Sequence, residues 1–202
     1  MKTYYFSDEI SWIEARRGKI TGSKLGGIIS KRNIDKKKQG FYELIAERIG
    51  LPADGENPMD RGHRLEEEAI ERFEKMTDKK VNCELVLWVK DDNESIALSP
   101  DGMIGETEAV EVKCLSSARH IEAYLTGEIP EEYRYQGLQY FVVNEKLEKL
   151  YFCFYDPRLK VKDFFIIEMN RSNLTDEINT LEIYQKDTLK EVEEIASKLM
   201  EF

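Results

Sequence analysis

Long apolar segments are absent from this sequence of 202 residues. No run approaches the roughly 20 apolar residues that a membrane-spanning helix needs, and residues 1–10 contain no apolar segment of the kind found in signal peptides. Internal repeats and low-complexity segments are absent as well. We therefore expect a cytoplasmic protein without a membrane anchor.

Cysteine is scarce in this sequence. Cys83, Cys114 and Cys153 are odd in number, and their spacing fits neither a zinc knuckle nor a four-cysteine iron–sulfur site. Each lies in an apolar, strand-like context, and free cysteine is often buried. We expect three reduced cysteines in the core and no metal cluster.

The chain as a whole has no excess of basic residues. The formal net charge is −10, which argues against a surface coated with basic side chains for nucleic acid. Residues 16–40 nevertheless carry nine basic residues and one acidic residue, a net charge of +8, against −18 for the rest of the chain. Such a segment can hold a polyanion, and the alternative is a solvated loop.

The hydrophobic pattern predicts one mixed α/β domain. Strands are predicted at 81–89, 96–104, 109–114, 149–155 and 162–169, and helices at 8–17, from 21, at 41–49, 59–76, 117–126, from 131 and at 175–200. The domain, 1–202, then has a helical N-terminal part (1–78), a part with the sheet and helices (79–171) and a C-terminal helix (173–202). The fold class is α/β, with a central mixed sheet flanked by helices.

Two carboxylates and a lysine stand out in the predicted sheet. Side chains alternate along a strand, so Glu111 and Lys113 share one face, and a turn near Gly105 brings Asp101 alongside them. Carboxylates are ligands that Mg²⁺ prefers, and the ion can stabilise a scissile phosphate and activate water. The lysine can orient or help activate that water. The alternative is an ordinary solvent-facing pair, because the pattern Pro-Asp…(Asp/Glu)-x-Lys is short and has many chance matches.

Glu66 is the acid that helical spacing places on an apolar stripe. It aligns with Gly62, Ile70 and Phe73, whereas Glu67 and Glu68 fall on the solvated face. An unpaired charge on an apolar stripe is costly. Glu66 therefore completes a metal site or, alternatively, forms a buried salt bridge.

Two glutamines lie one helical turn apart, Gln136 and Gln139, with Tyr140 beside the second. Their amides can hold a water, a lysine or a phosphate oxygen. The alternative is that both lie on the surface.

These residues belong to a larger set of motifs. The motifs are Ser-Trp-Ile-Glu-Ala-Arg-Arg-Gly-Lys-Ile-Thr-Gly-Ser at 11–23, Gly62 to Phe73, Ser-Pro-Asp-Gly at 99–102, Glu-Val-Lys-Cys at 111–114, Gln-Tyr at 139–140 and Tyr-Asp-Pro-Arg at 155–158. In content, order and spacing they resemble the lambda exonuclease and viral recombinase nuclease family, part of the PD-(D/E)XK superfamily. The resemblance covers residues 12–199.

The resemblance implies a single restriction-endonuclease-like domain and a role for each matching residue. It implies that the metal ligands are Asp101, Glu111 and the carbonyl of Val112. It implies a further acid, a catalytic lysine and an active-site glutamine at Glu66, Lys113 and Gln139. It implies that the residues contacting a terminal 5′-phosphate are Arg16, Ser23, Ser99 and Arg119. Gln136 is one residue away from a glutamine of the family and is left unassigned.

The implied activity is a Mg²⁺-dependent 5′→3′ exonuclease, with Mn²⁺ as a substitute. It would degrade one strand of linear double-stranded DNA and leave 3′ overhangs for phage-type recombination by strand annealing. The resemblance also implies a homotrimeric ring around DNA, a single-strand annealing protein as partner, and the cytoplasm of a bacterial or phage-infected cell.

Other functions stay open on the sequence alone. Another PD-(D/E)XK endonuclease or resolvase would cut circular DNA, which an end-dependent exonuclease cannot. A DNA-end-binding module that has lost catalysis is a second alternative, and the intact set Asp101, Glu111 and Lys113 argues against it. A Cas4-like nuclease needs an iron–sulfur cluster, which the cysteine spacing excludes.

Overall fold

The computed structural model describes residues 1–29, 44, 62–115, 117–159 and 161–200, and for residues 62–64 and 117–119 the backbone alone. The helices are α1 (Glu9–Arg16), α2 (Leu25–Ile28), α3 (Gly62–Thr77), α4 (Ser117–Thr126), α5 (Glu131–Val143) and α6 (Thr175–Met200). The strands are β1 (Lys2–Tyr5), β2 (Val86–Lys90), β3 (Asn93–Leu98), β4 (Gly102–Ile104), β5 (Glu108–Lys113), β6 (Lys149–Tyr155) and β7 (Phe164–Asn170). Short 3₁₀ turns cover Gly22–Lys24 and Arg171–Asn173.

The strands form two sheets. One is antiparallel, in the order β1-β2-β3, and the other has the order β4-β5-β6-β7. In the second sheet β5 and β6 are parallel and the other pairs are antiparallel, because the chain between β5 and β6 crosses over through α4 and α5. The predicted α/β domain with a mixed sheet flanked by helices is confirmed.

Helix α5 lies at the centre of the main core. Its Leu138, Tyr140 and Phe141 belong to one buried cluster with side chains from both sheets, such as Trp88 and Phe152. On the other face of the larger sheet, α3 packs Ala69 and Phe73 against the strands. These two helices therefore cover opposite faces of the larger sheet.

The strand predicted at 96–104 is two strands in different sheets. β3 ends at Leu98 and β4 begins at Gly102, so Ser99, Pro100 and Asp101 connect the two sheets. Pro100 has no backbone N–H to donate to a ladder. The prediction of one continuous strand was wrong here, since β-propensity does not show which sheet a strand joins.

Other differences concern the termini of the predicted elements. Residues 2–5, assigned to the helical part, form β1 and pair with β2. The helix predicted from residue 21 begins as a 3₁₀ turn, and the hydroxyl of Thr21 makes no capping hydrogen bond there. The helix predicted at 41–49 lies outside the described residues apart from the buried Leu44, as does most of the basic segment.

The cysteines are all free, as expected. Only Cys153 is buried, and the predicted core position of the other two was wrong. Cys83 precedes β2, and Cys114 follows the last residue of β5, so neither occupies an inward-facing strand position. Within the described residues, no helix is both long and apolar enough to cross a membrane.

Candidate active site

The hairpin of β4 and β5 places the predicted acids side by side. Gly102 pairs with Val110, and the turn between the strands passes through Gly105, whose φ is +60°. Asp101 lies just before β4, and its Oδ2 accepts a hydrogen bond of 2.7 Å from the backbone N–H of Val112. A Cβ on Gly102 would approach Cγ1 of Val81 to 2.3 Å, so any larger residue after Asp101 would force Val81 to shift.

Alternation along β5 separates the polar and apolar side chains as predicted. Val110 and Val112 pack in the cluster that contains Phe73 of α3. Glu111 and Lys113 face the opposite side, where Nζ of Lys113 donates to Oε1 of Glu111 at 2.6 Å. The predicted pair is therefore not a solvent-facing one, because Glu111 is 0% exposed.

Glu111 is held by three donors. Its Oε1 accepts from Lys113 and from Nε2 of Gln136, each at 2.6 Å, and its Oε2 accepts from the hydroxyl of Tyr140 at 2.6 Å. The backbone N–H of Asp101 donates to the same Tyr140 hydroxyl at 3.3 Å. Tyr140 thus links the two acids, and the carboxylate of Glu111 is fixed before any ligand binds.

The electrostatics of the acids and Lys113 are interdependent. Desolvation of its carboxyl group and the nearby charges of Glu111 and Glu66 raise the pKa of Asp101, against an opposing effect of Lys113. Burial opposes the charge on Lys113, but Glu111 and Asp101 outweigh it, and the pKa of Lys113 is raised. In this arrangement Lys113 is held as an ammonium ion, which can donate a proton or stabilise negative charge.

A cavity of about 280 Å³ opens beside these residues. Three of the four residues predicted to bind a terminal phosphate line it, namely Arg16, Ser23 and Ser99, and so do Trp12, Glu66, Asp101 and Gln136. The side chain of the fourth, Arg119, lies outside the described part of the chain. The structure thus joins the predicted phosphate residues to the predicted metal ligand Asp101 in one pocket.

Local structure explains how Arg16 and Ser23 reach this pocket. α1 ends at Arg16, and Gly18 has a φ of +66°, a left-handed conformation that favours glycine. The chain then turns so that Ile20 pairs with Ile96 in a parallel bridge, which carries residues 21–23 towards the end of β3. Nη2 of Arg16 donates to Oγ of Ser23 at 3.1 Å. Burial lowers the pKa of Arg16, while Asp101 and Glu111 act in the opposite direction.

Glu66 lies on α3 at the edge of the same pocket. Ala69 and Phe73 bury the apolar stripe of the helix, as predicted, and Glu66 is half-buried. Glu68 was predicted to be solvated, but it is half-buried and its Oε2 accepts from the hydroxyl of Tyr155 at 2.9 Å. Helical spacing identified the inward acid Glu66 and could not show that a strand residue reaches Glu68.

The structure does not place Gln139 with the acids. Its Nε2 donates to the carbonyl oxygens of Ala97 at 3.1 Å and Ile20 at 3.4 Å, and its Oε1 accepts from Gln185 at 2.9 Å. The glutamine that contacts Glu111 is Gln136, four residues before Tyr140 on the same helical face. The i, i+4 spacing of Gln136 and Tyr140 was the signal in the sequence, and the structure places Gln136 rather than Gln139 in contact with Glu111.

Replacement of the two glutamines by alanine should have different effects on stability. Gln139→Ala removes the buried hydrogen bonds to the carbonyls of Ala97 and Ile20 and the one from Gln185, so we expect the free energy of unfolding to fall by about 1–3 kcal/mol. Gln136→Ala is the matched control on the same helix and should cost less, because Gln136 is half-buried and Glu111 keeps Lys113 and Tyr140. Chemical denaturation measures both values. A larger loss for Gln136→Ala would contradict this assignment.

The motif at residues 155–158 stabilises one end of the four-stranded sheet. Asp156 is 1% exposed and accepts from Nε of Arg158 at 2.6 Å, and Nη2 of Arg158 donates to the carbonyl of Leu115 at 2.9 Å. Leu115 follows β5 by two residues. The motif therefore ties the end of β6 to the chain that leaves Lys113.

The donor set is suitable for a hard divalent cation. An ionised carboxylate offers about four lone-pair positions, and three are used at Glu111, so one is left for a cation. Desolvation first, and the charge of Glu111 second, raise the pKa of Asp101, and a bound cation would oppose both effects by favouring the ionised carboxylate. Among the described residues, no three His, Cys, Asp or Glu side chains converge as a metal site. Asp101 and Glu111 would therefore need the Val112 carbonyl and water, ligands that Mg²⁺ accepts.

Two solved structures show the same fold at moderate identity. The alkaline exonuclease LHK-Exo from Laribacter hongkongensis is 27% identical, with a TM-score of 0.80 over 95% of this chain and 96% of that one. The structure of LHK-Exo in complex with dAMP is 28% identical, with a TM-score of 0.78 over 95% of this chain and 98% of that one.

A third structure supports the fold alone. The phage-related exonuclease from Haemophilus somnus 129PT is 14% identical, with a TM-score of 0.58 over 90% of this chain and 96% of that one. A comparison with curated proteins found no match. Residues 11–146 match the YqaJ-like viral recombinase domain, a stretch that includes Arg16, Asp101, Glu111 and Lys113. The chain belongs to the YqaJ-like viral recombinase family.

Proposed function

We propose that this protein is a Mg²⁺-dependent nuclease that degrades one strand of linear double-stranded DNA from its 5′ end and leaves a 3′ overhang. The observation that carries the proposal is one pocket in which Arg16, Ser23 and Ser99 lie beside Asp101. Asp101 in turn accepts a hydrogen bond from Val112, on the strand that carries Glu111 and Lys113. The relative LHK-Exo is an alkaline exonuclease, and one of its structures contains dAMP, a deoxynucleoside monophosphate. Both facts support the proposed reaction.

Each side chain has a defined task in this reaction. Arg16, Ser23 and Ser99 bind the terminal phosphate, since a guanidinium and two hydroxyls match a phosphate dianion. The phosphodiester that follows then lies at Asp101 and Glu111. Lys113, as an ammonium ion, stabilises negative charge on the scissile phosphate. Gln136 and Tyr140 hold Glu111, so its carboxylate does not reorient during the reaction.

The metal ion would be held by Asp101, Glu111 and the carbonyl of Val112, with Glu66 as the further acid nearby. When bound, a divalent cation supplies Lewis-acid stabilisation of the phosphate and lowers the pKa of an attacking water. Mn²⁺ has similar oxygen preferences and should substitute for Mg²⁺. Glu66 supports this placement because its charge contributes to the raised pKa of Asp101.

Digestion of matched linear and circular duplexes tests the proposal. We expect Mg²⁺-dependent degradation of the linear form only, with early release of a label at the 5′ end as mononucleotide. EDTA should stop the reaction. Cleavage of the circular form would indicate an endonuclease or resolvase, and early release from the 3′ end would reject the proposed polarity. Binding of DNA ends without any cleavage would indicate a DNA-end-binding module instead of a nuclease.

We also propose a homotrimer that encloses DNA and acts with a single-strand annealing protein. The uneven charge supports this assembly, because a basic segment of +8 can face DNA while the remaining −18 faces solvent. Sedimentation should give three times the mass of one 23.6 kDa chain. A monomer that still degrades DNA processively would contradict the ring.

A further inference from the structure

The indole of Trp12 contacts both sides of the phosphate pocket. Its Nε1–H donates to Oγ of Ser99 at 2.9 Å, and the carbonyl of Val86 is a weaker second acceptor at 3.4 Å. On its ring face lies the guanidinium of Arg16, whose central carbon is 4.2 Å from the ring centroid. One side chain therefore touches both Ser99 and Arg16.

The position of Trp12 explains these two contacts. Trp12 lies on α1, four residues before Arg16, so the two side chains share one face of the helix. Val86 begins β2 and Ser99 follows β3, so the indole N–H reaches both neighbouring strands. Trp12 ties α1 to the sheet at the edge of the pocket, and its own side chain is half-buried there.

The hydrogen bond to Ser99 has a chemical consequence. A serine hydroxyl has one donor and two acceptor positions. Since the indole N–H can only donate, it occupies an acceptor position of Ser99, and the hydroxyl hydrogen is directed away from Trp12. That hydrogen is then available to an anion in the cavity.

The ring contact has a second consequence. Burial disfavours the charged form of Arg16, and a guanidinium over an indole face regains part of the lost stabilisation. The stacked ring also restricts the plane of the guanidinium. The indole therefore favours one orientation of Arg16 through a contact that a phosphate does not have to displace.

We propose that Trp12 is the positioning residue of the terminal-phosphate pocket, fixing the Ser99 hydroxyl through its N–H and the Arg16 guanidinium through its ring. This inference rests on the proposed function and deepens it. In this proposal Trp12 contributes to the preference for a phosphate monoester at the DNA end through Ser99 and Arg16, without touching the phosphate itself.

Trp12→Phe separates the two contributions, because phenylalanine keeps a ring and lacks the N–H. We expect the preference for 5′-phosphate over 5′-hydroxyl ends to fall roughly fivefold to tenfold, mainly through KM, as for the loss of one hydrogen bond. Trp12→Leu also removes the ring and should lower the preference further. Ile10→Ala, on the same helix and 81% exposed, is the control and should match the parent.

A double-mutant cycle with Ser99→Ala shows whether Trp12 acts through Ser99. In the Ser99→Ala background, Trp12→Phe should lower the preference for 5′-phosphorylated ends clearly less than in the parent, because the hydrogen bond from Trp12 to Ser99 is already absent. Full additivity would overturn the Ser99 part of the proposal. Equal slowing of both end types by Trp12→Phe would indicate a structural residue and would overturn it as well.

A binding measurement on the parent protein tests the pocket independently of cleavage, and unfolding curves check the fold of the Trp12 variants. Of the two tryptophans, Trp88 is 3% exposed in the core, so a change in indole emission on adding a 5′-phosphorylated oligonucleotide without Mg²⁺ reports on Trp12. We expect that change in the parent and none with a 5′-hydroxyl oligonucleotide. If the emission of the parent is the same with both oligonucleotides, the pocket itself is wrong. If the parent degrades 5′-phosphorylated ends faster and Trp12→Phe keeps that preference in the digestion assay, only the role of Trp12 is wrong.

Discussion

Glu111→Gln should reduce Mg²⁺-dependent cleavage of linear DNA by roughly a thousandfold or more, since several kcal/mol of metal-based stabilisation depend on this carboxylate. The amide keeps the shape of the side chain and loses its charge. A single-turnover digestion with enzyme in excess measures the chemical step directly, so slow product release does not mask the loss.

The fold should tolerate this substitution. The carbonyl oxygen of the new glutamine can accept from Lys113 and Gln136, and its amide can donate to Tyr140, because a tyrosine hydroxyl both donates and accepts. The Tyr140 hydrogen then still has the carbonyl of Val110 at 3.2 Å. Unfolding curves of parent and variant should therefore be similar.

Asp101→Asn and Lys113→Ala extend the test. Asp101→Asn should be as inactive as Glu111→Gln, and Lys113→Ala should be inactive while still binding the metal ion. Glu106→Gln is the matched control, because Glu106 is an exposed acid in the turn of the same hairpin and should leave turnover unchanged. Near-normal turnover of either acid variant would reject the assignment of the catalytic centre.

Arg16→Ala should slow degradation of 5′-phosphorylated ends by roughly tenfold to a hundredfold. A hydrogen bond to a charged group contributes about 1.5–3 kcal/mol, which corresponds to that change in rate. Ends with a 5′-hydroxyl should be degraded slowly by the parent, and Arg16→Ala should barely slow them further, because the lost contact was to the missing phosphate. The test is to measure the degradation rates of the parent and of Arg16→Ala on 5′-phosphorylated and 5′-hydroxyl ends.

Two further variants make the Arg16 experiment specific. Arg17→Ala removes the neighbouring arginine, which pairs with Glu14 at 3.6 Å, and should behave as the parent. Arg16→Lys keeps the charge without the planar guanidinium and should fall between parent and Arg16→Ala. If Arg16→Ala slows both end types equally, Arg16 is a general backbone contact or a structural residue.

The hairpin and its alternation could be predicted because they depend on local rules. Glu111 and Lys113 share a face since successive side chains in a strand point in opposite directions. Glu66 was identified because helical spacing placed it beside Ile70 and Phe73. Both inferences need only the order of residues within one element.

The contacts of the two glutamines could not be predicted from local spacing. Gln136 and Gln139 lie on one helix that is covered by both sheets and by α6, so each face of the helix meets a different partner. Sequence spacing distinguishes the faces and does not say which one meets Glu111. The breaks at Ser99 to Asp101 and the exposure of Cys114 escaped prediction for the same reason, because each depends on where strands pair.

The sequence by itself determined the mixed α/β class, the carboxylate–lysine set at the β4–β5 hairpin, and the family resemblance. These follow from short-range periodicity and from the types of residue that metal and phosphate chemistry require. Only the tertiary structure decided that Trp12, Arg16, Ser23 and Ser99 meet beside Asp101, and that Gln136 rather than Gln139 holds Glu111. Those contacts join residues up to 87 positions apart, and their geometry is set by sheet pairing and core packing rather than by local preference.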